Sequence, residues 1–165
     1  MNLEINDAYM PLFPRDPVLG TGVPGSVRYI IVTGGRGSAK SFTLATAILK
    51  HTFQDKYNIL YTRYTMVSAG MSIIPEDQEK IDLLNCNGAF DVKKAEIVNR
   101  VTGGTIFFRG IMGSSGNQTA RLKSIQNVKV WILDEAQELM SENTFDIIDQ
   151  SIRTKGTQNL VILTL

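Results

Sequence analysis

Apolar and polar positions along the chain alternate between two periods. Tyr29-Ile-Ile-Val-Thr33, Asn58-Ile-Leu-Tyr-Thr-Arg-Tyr64, Val128-Lys-Val-Trp-Ile-Leu-Asp134 and Asn159-Leu-Val-Ile-Leu-Thr-Leu165 are short, β-branched or aromatic runs. Such runs read as strands buried in a parallel sheet. Between them, Phe42, Leu44, Ala45, Ala47, Ile48 and Leu49 recur at helical spacing and predict a helix over about 40–52. A second helix is expected from about Pro75 to Leu84, with Pro75 in its first turn. A third is expected over about 142–151, with Ser141 as its cap. Residues 96–101 and 105–109 read as a hairpin turned by Gly103-Gly104. Residues 110–124 are rich in Gly, Ser and Asn and read as a loop. Residues 1–28, with prolines spaced through them, read as an extended arm anchored by Tyr9 and Phe13. Strands alternating with helices make the fold class α/β, a parallel-rich sheet with helices on both faces and a β-hairpin insertion.

The first strand runs directly into Gly34-Gly-Arg-Gly-Ser-Ala-Lys-Ser41, and the first helix follows at once. Strand, glycine-rich turn and helix ending in Lys-Ser form a phosphate loop. Main-chain N–H groups of such a turn converge on an anion, and the helix N-terminus adds partial positive charge. Residues 34–41 (Gly34, Gly35, Arg36, Gly37, Ser38, Ala39, Lys40, Ser41) are therefore the candidate nucleotide-binding segment. Lys40 would reach the β- and γ-phosphates, and the Ser41 hydroxyl would hold Mg²⁺. Ala39 stands where the pattern has glycine, which costs little if its φ is negative and more if it is positive.

The strand at 128–134 delivers two adjacent carboxylates, Asp134 and Glu135, at its C-terminal end. In open α/β sheets that edge holds ligands. Asp134 suits a magnesium-supporting acid, and Glu135 suits a general base acting on water. The alternative is that the pair only caps a short helix at 136–140. A strand between the phosphate-loop strand and the acidic strand, with Glu after Asp, favours the additional-strand, catalytic-glutamate class of P-loop NTPases.

Composition narrows the picture modestly. The chain has 165 residues, 43% hydrophobic and 20% charged, with net charge +1, as expected for one ordinary globular domain. No apolar run approaches the length of a membrane span. Cys86 is the single cysteine, so an internal disulfide and a thiolate zinc site are excluded, and a reducing compartment is expected. His51 reads as a charge near a helix C-terminus rather than a catalytic group. Basic residues gather at Lys93, Lys94, Arg100, Arg109, Arg121 and Lys123, but the overall balance leaves DNA binding undecided.

Taken together, the phosphate loop, Phe107-Phe-Arg-Gly110, Arg121-Leu-Lys-Ser-Ile-Gln126 and Val130-Trp-Ile-Leu-Asp-Glu-Ala136 resemble the large terminase subunits of tailed bacteriophages. The resemblance covers about residues 29–165 and implies the ATPase core of a DNA-packaging motor, with ATP and Mg²⁺ as cofactors. It implies that Arg36 contacts the γ-phosphate within the subunit and that Arg121 reaches a neighbouring subunit's nucleotide. A guanidinium so placed is worth roughly 10³–10⁵ in rate. It makes Thr164 the start of a motif coupling hydrolysis to movement. It implies double-stranded DNA, a portal protein, a small terminase subunit and a ring of subunits, expected to be a pentamer, as partners. The setting would be the host cytoplasm, docked on a procapsid. Motion of a lid and of the region 110–117 would advance the DNA. The chain is expected to be a fragment, with a C-terminal nuclease domain lying outside it. Family members often read adenine through an upstream glutamine that this chain lacks; Tyr9, Phe13 and Arg15 are the substitutes considered. Two alternatives remain: a helicase or recombination ATPase of the same class, and a non-catalytic nucleotide-binding assembly module.

Overall fold

The computed structural model describes residues 4–35, 37–113, 116–117, 122 and 124–165, the side chains of 66–72, 113, 116 and 117 excepted. Among the described residues there are eight strands: β1 (Tyr29–Val32), β2 (Asn58–Thr65), β3 (Phe90–Val92), β4 (Glu96–Asn99), β5 (Thr105–Gly113), β6 (Gly116–Asn117), β7 (Val128–Leu133) and β8 (Leu160–Thr164). They form one sheet in the order β1-β8-β7-β2-β5-β4-β3, with β6 paired to β5. The pairs from β1 through β5 are parallel, and the hairpin side is antiparallel. In space, the strand that separates β1 from the acidic strand β7 is β8.

Alternation along the strands sorts side chains onto two faces. Ile59, Tyr61, Ile106, Phe108, Val130, Ile132, Leu160 and Ile162 pack on one side with Leu44, Ala47 and Ile48 of helix α1 (Lys40–His51). Ile73 and Ile81 of helix α2 (Met66–Leu83) join them. Leu60, Trp131, Leu133 and Val161 pack on the other side with Ile148 of helix α3 (Glu142–Ser151). The buried Trp131 indole donates to Thr62 Oγ1 at 2.8 Å, which satisfies its one polar atom. No helix among the described residues is long and apolar enough to cross a membrane.

Most predicted elements stand, with instructive differences. Ser141 caps α3, its hydroxyl accepting from the Thr144 amide at 3.2 Å. Helix α2 begins at Met66, so Pro75 sits in its interior rather than in its first turn. Pro75 is exposed there, and its missing N–H is the cost of that position. Residues 110–113 continue β5 and 116–117 form β6, so part of the expected loop is strand. The arm is not wholly irregular: residues Asp7–Leu12 form a 3-10 turn, opened by Asn6 accepting from the Ala8 amide at 2.9 Å. Leu12 and Phe13 enter the core.

The C-terminal end of α1 is tied down. His51 is 1% exposed, stacks on Tyr57, and its Nε2–H donates to the Leu12 carbonyl at 2.9 Å. Burial holds its pKa down at about 4, so it is a neutral core donor and not a charge on the helix end. Next to it, Thr52 accepts from Asn99 Nδ2 at 3.0 Å through its hydroxyl and from Thr102 Oγ1 at 2.5 Å through its carbonyl. A Cβ on Gly104 would lie 2.5 Å from that same carbonyl, so the hairpin turn needs glycine to approach.

The His51 environment makes stability depend on pH. The unfolded imidazole titrates near 6.5 and the folded one near 4, so the unfolded chain binds more protons between those values. The contribution is complete above pH 6.5 and falls away as pH drops towards 4, by about 3 kcal/mol in all. Buried Asp77, whose carboxyl is pushed well above the usual range by desolvation, acts in the opposite direction. His51→Gln, which keeps a donor for Leu12, isolates the histidine term. Its unfolding free energy is expected to be flatter across that window than that of the unchanged chain; parallel curves would mean the imidazole is not held neutral.

Candidate nucleotide site

Parallel pairing brings four strand ends to one level. Val32 of β1 stands opposite Thr164 of β8, and Leu133 of β7 stands opposite both Leu163 of β8 and Thr62 of β2. One residue further, Thr164, Asp134 and Arg63 form a row beside the phosphate loop. The Asp134 amide extends the ladder by donating to the Thr62 carbonyl at 2.9 Å.

The row is bonded throughout. Thr164 Oγ1 donates to Asp134 Oδ1 at 2.5 Å and accepts from the Glu135 amide at 3.2 Å. Arg63 Nε donates to Asp134 Oδ2 at 2.8 Å, and Arg63 Nη2 lies 3.0 Å from Glu135 Oε1. One guanidinium thus holds both carboxylates. The Tyr61 hydroxyl is buried against Asp134, and desolvation with the neighbouring negative charge pushes its pKa up. Glu76 of α2 also lines the cleft, and burial raises its carboxyl above the ordinary value.

Across the cleft, α1 begins at Lys40. Its ammonium donates to the main-chain oxygens of Gly34, at 2.6 Å, and of Leu165. Gly34 has φ 158°, and a Cβ there would sit 2.9 Å from Ser38 Oγ, so a larger residue would be strained and would displace the Ser38 hydroxyl. Ala39, the N-cap of α1, has φ 61° and ψ 20°. The positive φ is the costly case for an alanine, roughly 1–2 kcal/mol relative to glycine. Glu135 is likewise left-handed, at φ 54° and ψ 52°. Two strained residues therefore face one cleft, a pattern associated with functional sites.

The cleft holds about 600 Å³ and is lined by Gly34, Gly35, residues 37–42, Arg63, Asp134, Glu135 and Thr164, among others. Its residues fit a magnesium nucleotide. Lys40 rests on main-chain oxygens that a phosphate oxygen would replace, Ser41 is exposed, and Ser38 Oγ is buried with no hydrogen-bond partner among the described residues. Among the described residues no group of three or more His, Cys, Asp or Glu side chains is placed to hold a metal. A magnesium ion here would take most of its ligands from phosphate and water, as that ion usually does.

Lys40, Ser41, Asp134, Glu135 and Thr164 are thus brought together as the sequence suggests. Arg36 and Arg121 lie outside the described residues. Of the three aromatic or basic arm candidates, Phe13 is buried in the core and Arg15 lines a separate groove beside Lys50. Tyr9 alone reaches the loop, its hydroxyl donating to the Ser38 carbonyl at 2.8 Å. Arg63 and Glu76 are site residues that sequence reasoning misses. Arg63 carries the same signal that marks Asp134, a charge at the C-terminal end of a buried strand, but β2's place beside β7 is not written in the sequence.

Sheet order, loop and acidic pair define a P-loop NTPase of the additional-strand, catalytic-glutamate class. The chain belongs to the phage terminase large subunit family, whose profile matches residues 26–165. It is 29% identical over 131 residues to the terminase large subunit of Bacillus phage SPP1, covering 74% of this chain and 29% of that protein. The chain therefore spans less than a third of the length of that relative. Among solved structures, the large terminase of a thermophilic bacteriophage superposes with a TM-score of 0.64 at 14% identity, over 84% of this chain and 34% of that one. The large terminase ATPase domain of Thermus phage P74-26 gives 0.62 at 16% identity, over 99% and 70%. The N-terminal domain of the DNA-packaging ATPase of bacteriophage phi29 gives 0.60 at 15%, over 83% and 72%. At these identities the structural likeness speaks to the fold.

Thr164 serves Asp134 and the Glu135 amide at once. Thr164→Val keeps the shape and removes both bonds, and is expected to destabilise the chain by about 2 kcal/mol, because a charged acceptor loses its donor. Chemical denaturation measures this; a change below about 0.5 kcal/mol, the scatter of ordinary surface substitutions, would mean the threonine is not a support of the acidic pair.

Proposed function

We propose that the chain is the ATP-hydrolysing domain of a viral DNA-packaging motor. The observation that carries this reading is that Lys40 and Ser41, at the start of α1, face Asp134 and Glu135, at the end of β7, across one cleft. Family membership supports the reading.

The geometry supports the following roles for Lys40, Ser41, Asp134, Glu135 and Thr164, and the family resemblance supports those of Arg36 and Arg121. Lys40 would exchange its main-chain oxygen partners for β- and γ-phosphate oxygens. Ser41 Oγ and Asp134 would hold magnesium, which when bound neutralises charge on the transferring phosphoryl group. Glu135 would accept the proton of the attacking water, while Arg63 Nη2, 3.0 Å from Oε1, orients its carboxylate. Thr164 would couple the state of the acidic pair to β8. Arg36, within the subunit, and Arg121, across a subunit boundary, are proposed to stabilise the transferring phosphoryl group. In the whole motor, double-stranded DNA, a portal protein, a small terminase subunit and a ring of about five copies are the partners this reading requires; the ring size rests on the family resemblance alone. The setting would be the host cytoplasm, at the procapsid.

Glu135→Gln separates binding from chemistry. Affinity for Mg·ATP is expected to stay within about threefold, while turnover falls by about 10²–10⁴, the range for loss of a general base. Phosphate release and equilibrium binding, measured on the same preparations over a range of chain concentrations, test it. Turnover surviving in the variant would remove Glu135 from the mechanism. Absence of Mg·ATP binding by the unchanged chain would overturn the reading itself. A rate per chain that rises with concentration would support an arginine supplied between copies.

A further inference from the structure

We propose that the Tyr9 hydroxyl is a positioning group for the phosphate loop: it pins the Ser38–Ala39 peptide and thereby holds Ala39 in a conformation that alanine otherwise leaves. The inference rests on reading residues 34–41 as the nucleotide loop and deepens that reading. Tyr9 Oη donates to the Ser38 carbonyl at 2.8 Å. In a planar trans peptide the C=O and the following N–H point in opposite directions. Fixing the Ser38 oxygen towards the arm therefore turns the Ala39 N–H the other way, away from the arm, at a point where Ser38 and Ala39 line the cleft. Among the described residues, no main-chain hydrogen bond uses that N–H, while the Ala39 carbonyl accepts from the Thr43 amide at 2.9 Å to open the ladder of α1. It stands among the leading amides of α1, the groups that a helix N-terminus offers to an anion.

Ala39 makes this pin necessary. At φ 61° a glycine would be at ease, whereas alanine is strained and persists only while its surroundings over-determine it. Tyr9 is well placed to supply the constraint. Its ring packs against the core, the 3-10 turn that carries it is capped by Asn6, and the end of that turn is held by His51 through the Leu12 carbonyl. The arm thus grips α1 near both ends. Residues 4–25, which include Tyr9, lie outside the segment matched by the family profile.

A four-chain cycle tests the coupling: the unchanged chain, Tyr9→Phe, Ala39→Gly and the double variant. Two quantities are read, affinity for Mg·ATP by equilibrium dialysis and the melting temperature without nucleotide. Tyr9→Phe is expected to weaken Mg·ATP binding about fivefold or more when residue 39 is alanine, the loss of roughly one hydrogen bond's worth of preorganisation. With Ala39→Gly the same change should cost less than about twofold, because glycine keeps the left-handed conformation unaided. Without nucleotide, Ala39→Gly should raise the melting temperature by about 3 °C when Tyr9 is present, and by clearly less in the Tyr9→Phe background, where the alanine has already relaxed. Additive effects in the melting cycle would overturn the proposal, since they would make Tyr9 an ordinary packing residue. Coupled melting with no Mg·ATP binding by the unchanged chain would leave the pin standing and overturn the nucleotide reading instead. Mg·ATP binding with additive melting would do the reverse.

Discussion

In-register parallel pairing of β1, β8, β7 and β2 is the constraint on which the site depends. Side-chain period in a strand is two, so a slip of one residue would send Thr164, Asp134 or Arg63 to the opposite face. The register is secured on both faces: Ile132 and Ile162 pack under α1, while Trp131, Leu133 and Val161 pack under α3. Hydrophobic burial thus does a task that is electrostatic in outcome. It sets two carboxylates, a guanidinium and a hydroxyl on one line, next to the loop that begins α1.

Adjacent acids at the end of a buried strand are unfavourable neighbours unless a cation compensates them. Arg63 does so with one planar group, through Nε to Asp134 and Nη2 to Glu135. A lysine, with a single point of charge, could not offer the same fork. The arrangement also gives the guanidinium competing anionic partners whenever phosphate enters the cleft, so the charge that stabilises the acids is the charge a nucleotide would draw upon.

Much of this is legible in the sequence, for identifiable reasons. The phosphate loop is a local motif, and α1, α3 and the buried strands have clear periodicity. The Ser141 cap and the glycine turn of the hairpin are equally local. What escapes is non-local or depends on a single torsion. Strand β3 is three residues long and exists only because β4 lies beside it. The first half of α2 is hidden by Pro75, which reads as a helix start yet sits on the exposed side of a continuing helix. Arg63 needs the neighbour relation of β2 and β7. The cost of Ala39 turns on the sign of φ, which no spacing reveals. His51 looks like a surface charge until the arm is seen to close over it.

The polar knot around Thr52 gives α1 a further property. A helix of twelve residues is about 18 Å long. One end of α1 begins at the phosphate loop, and the other is bolted through Asn99, Thr102 and the close approach of Gly104 to the hairpin on the far side of β5. Such a rod is stiff along its axis and is fastened at both ends. A shift at Lys40 would therefore be passed along the helix axis towards Thr52 and the turn that Asn99, Thr102 and Gly104 form around it.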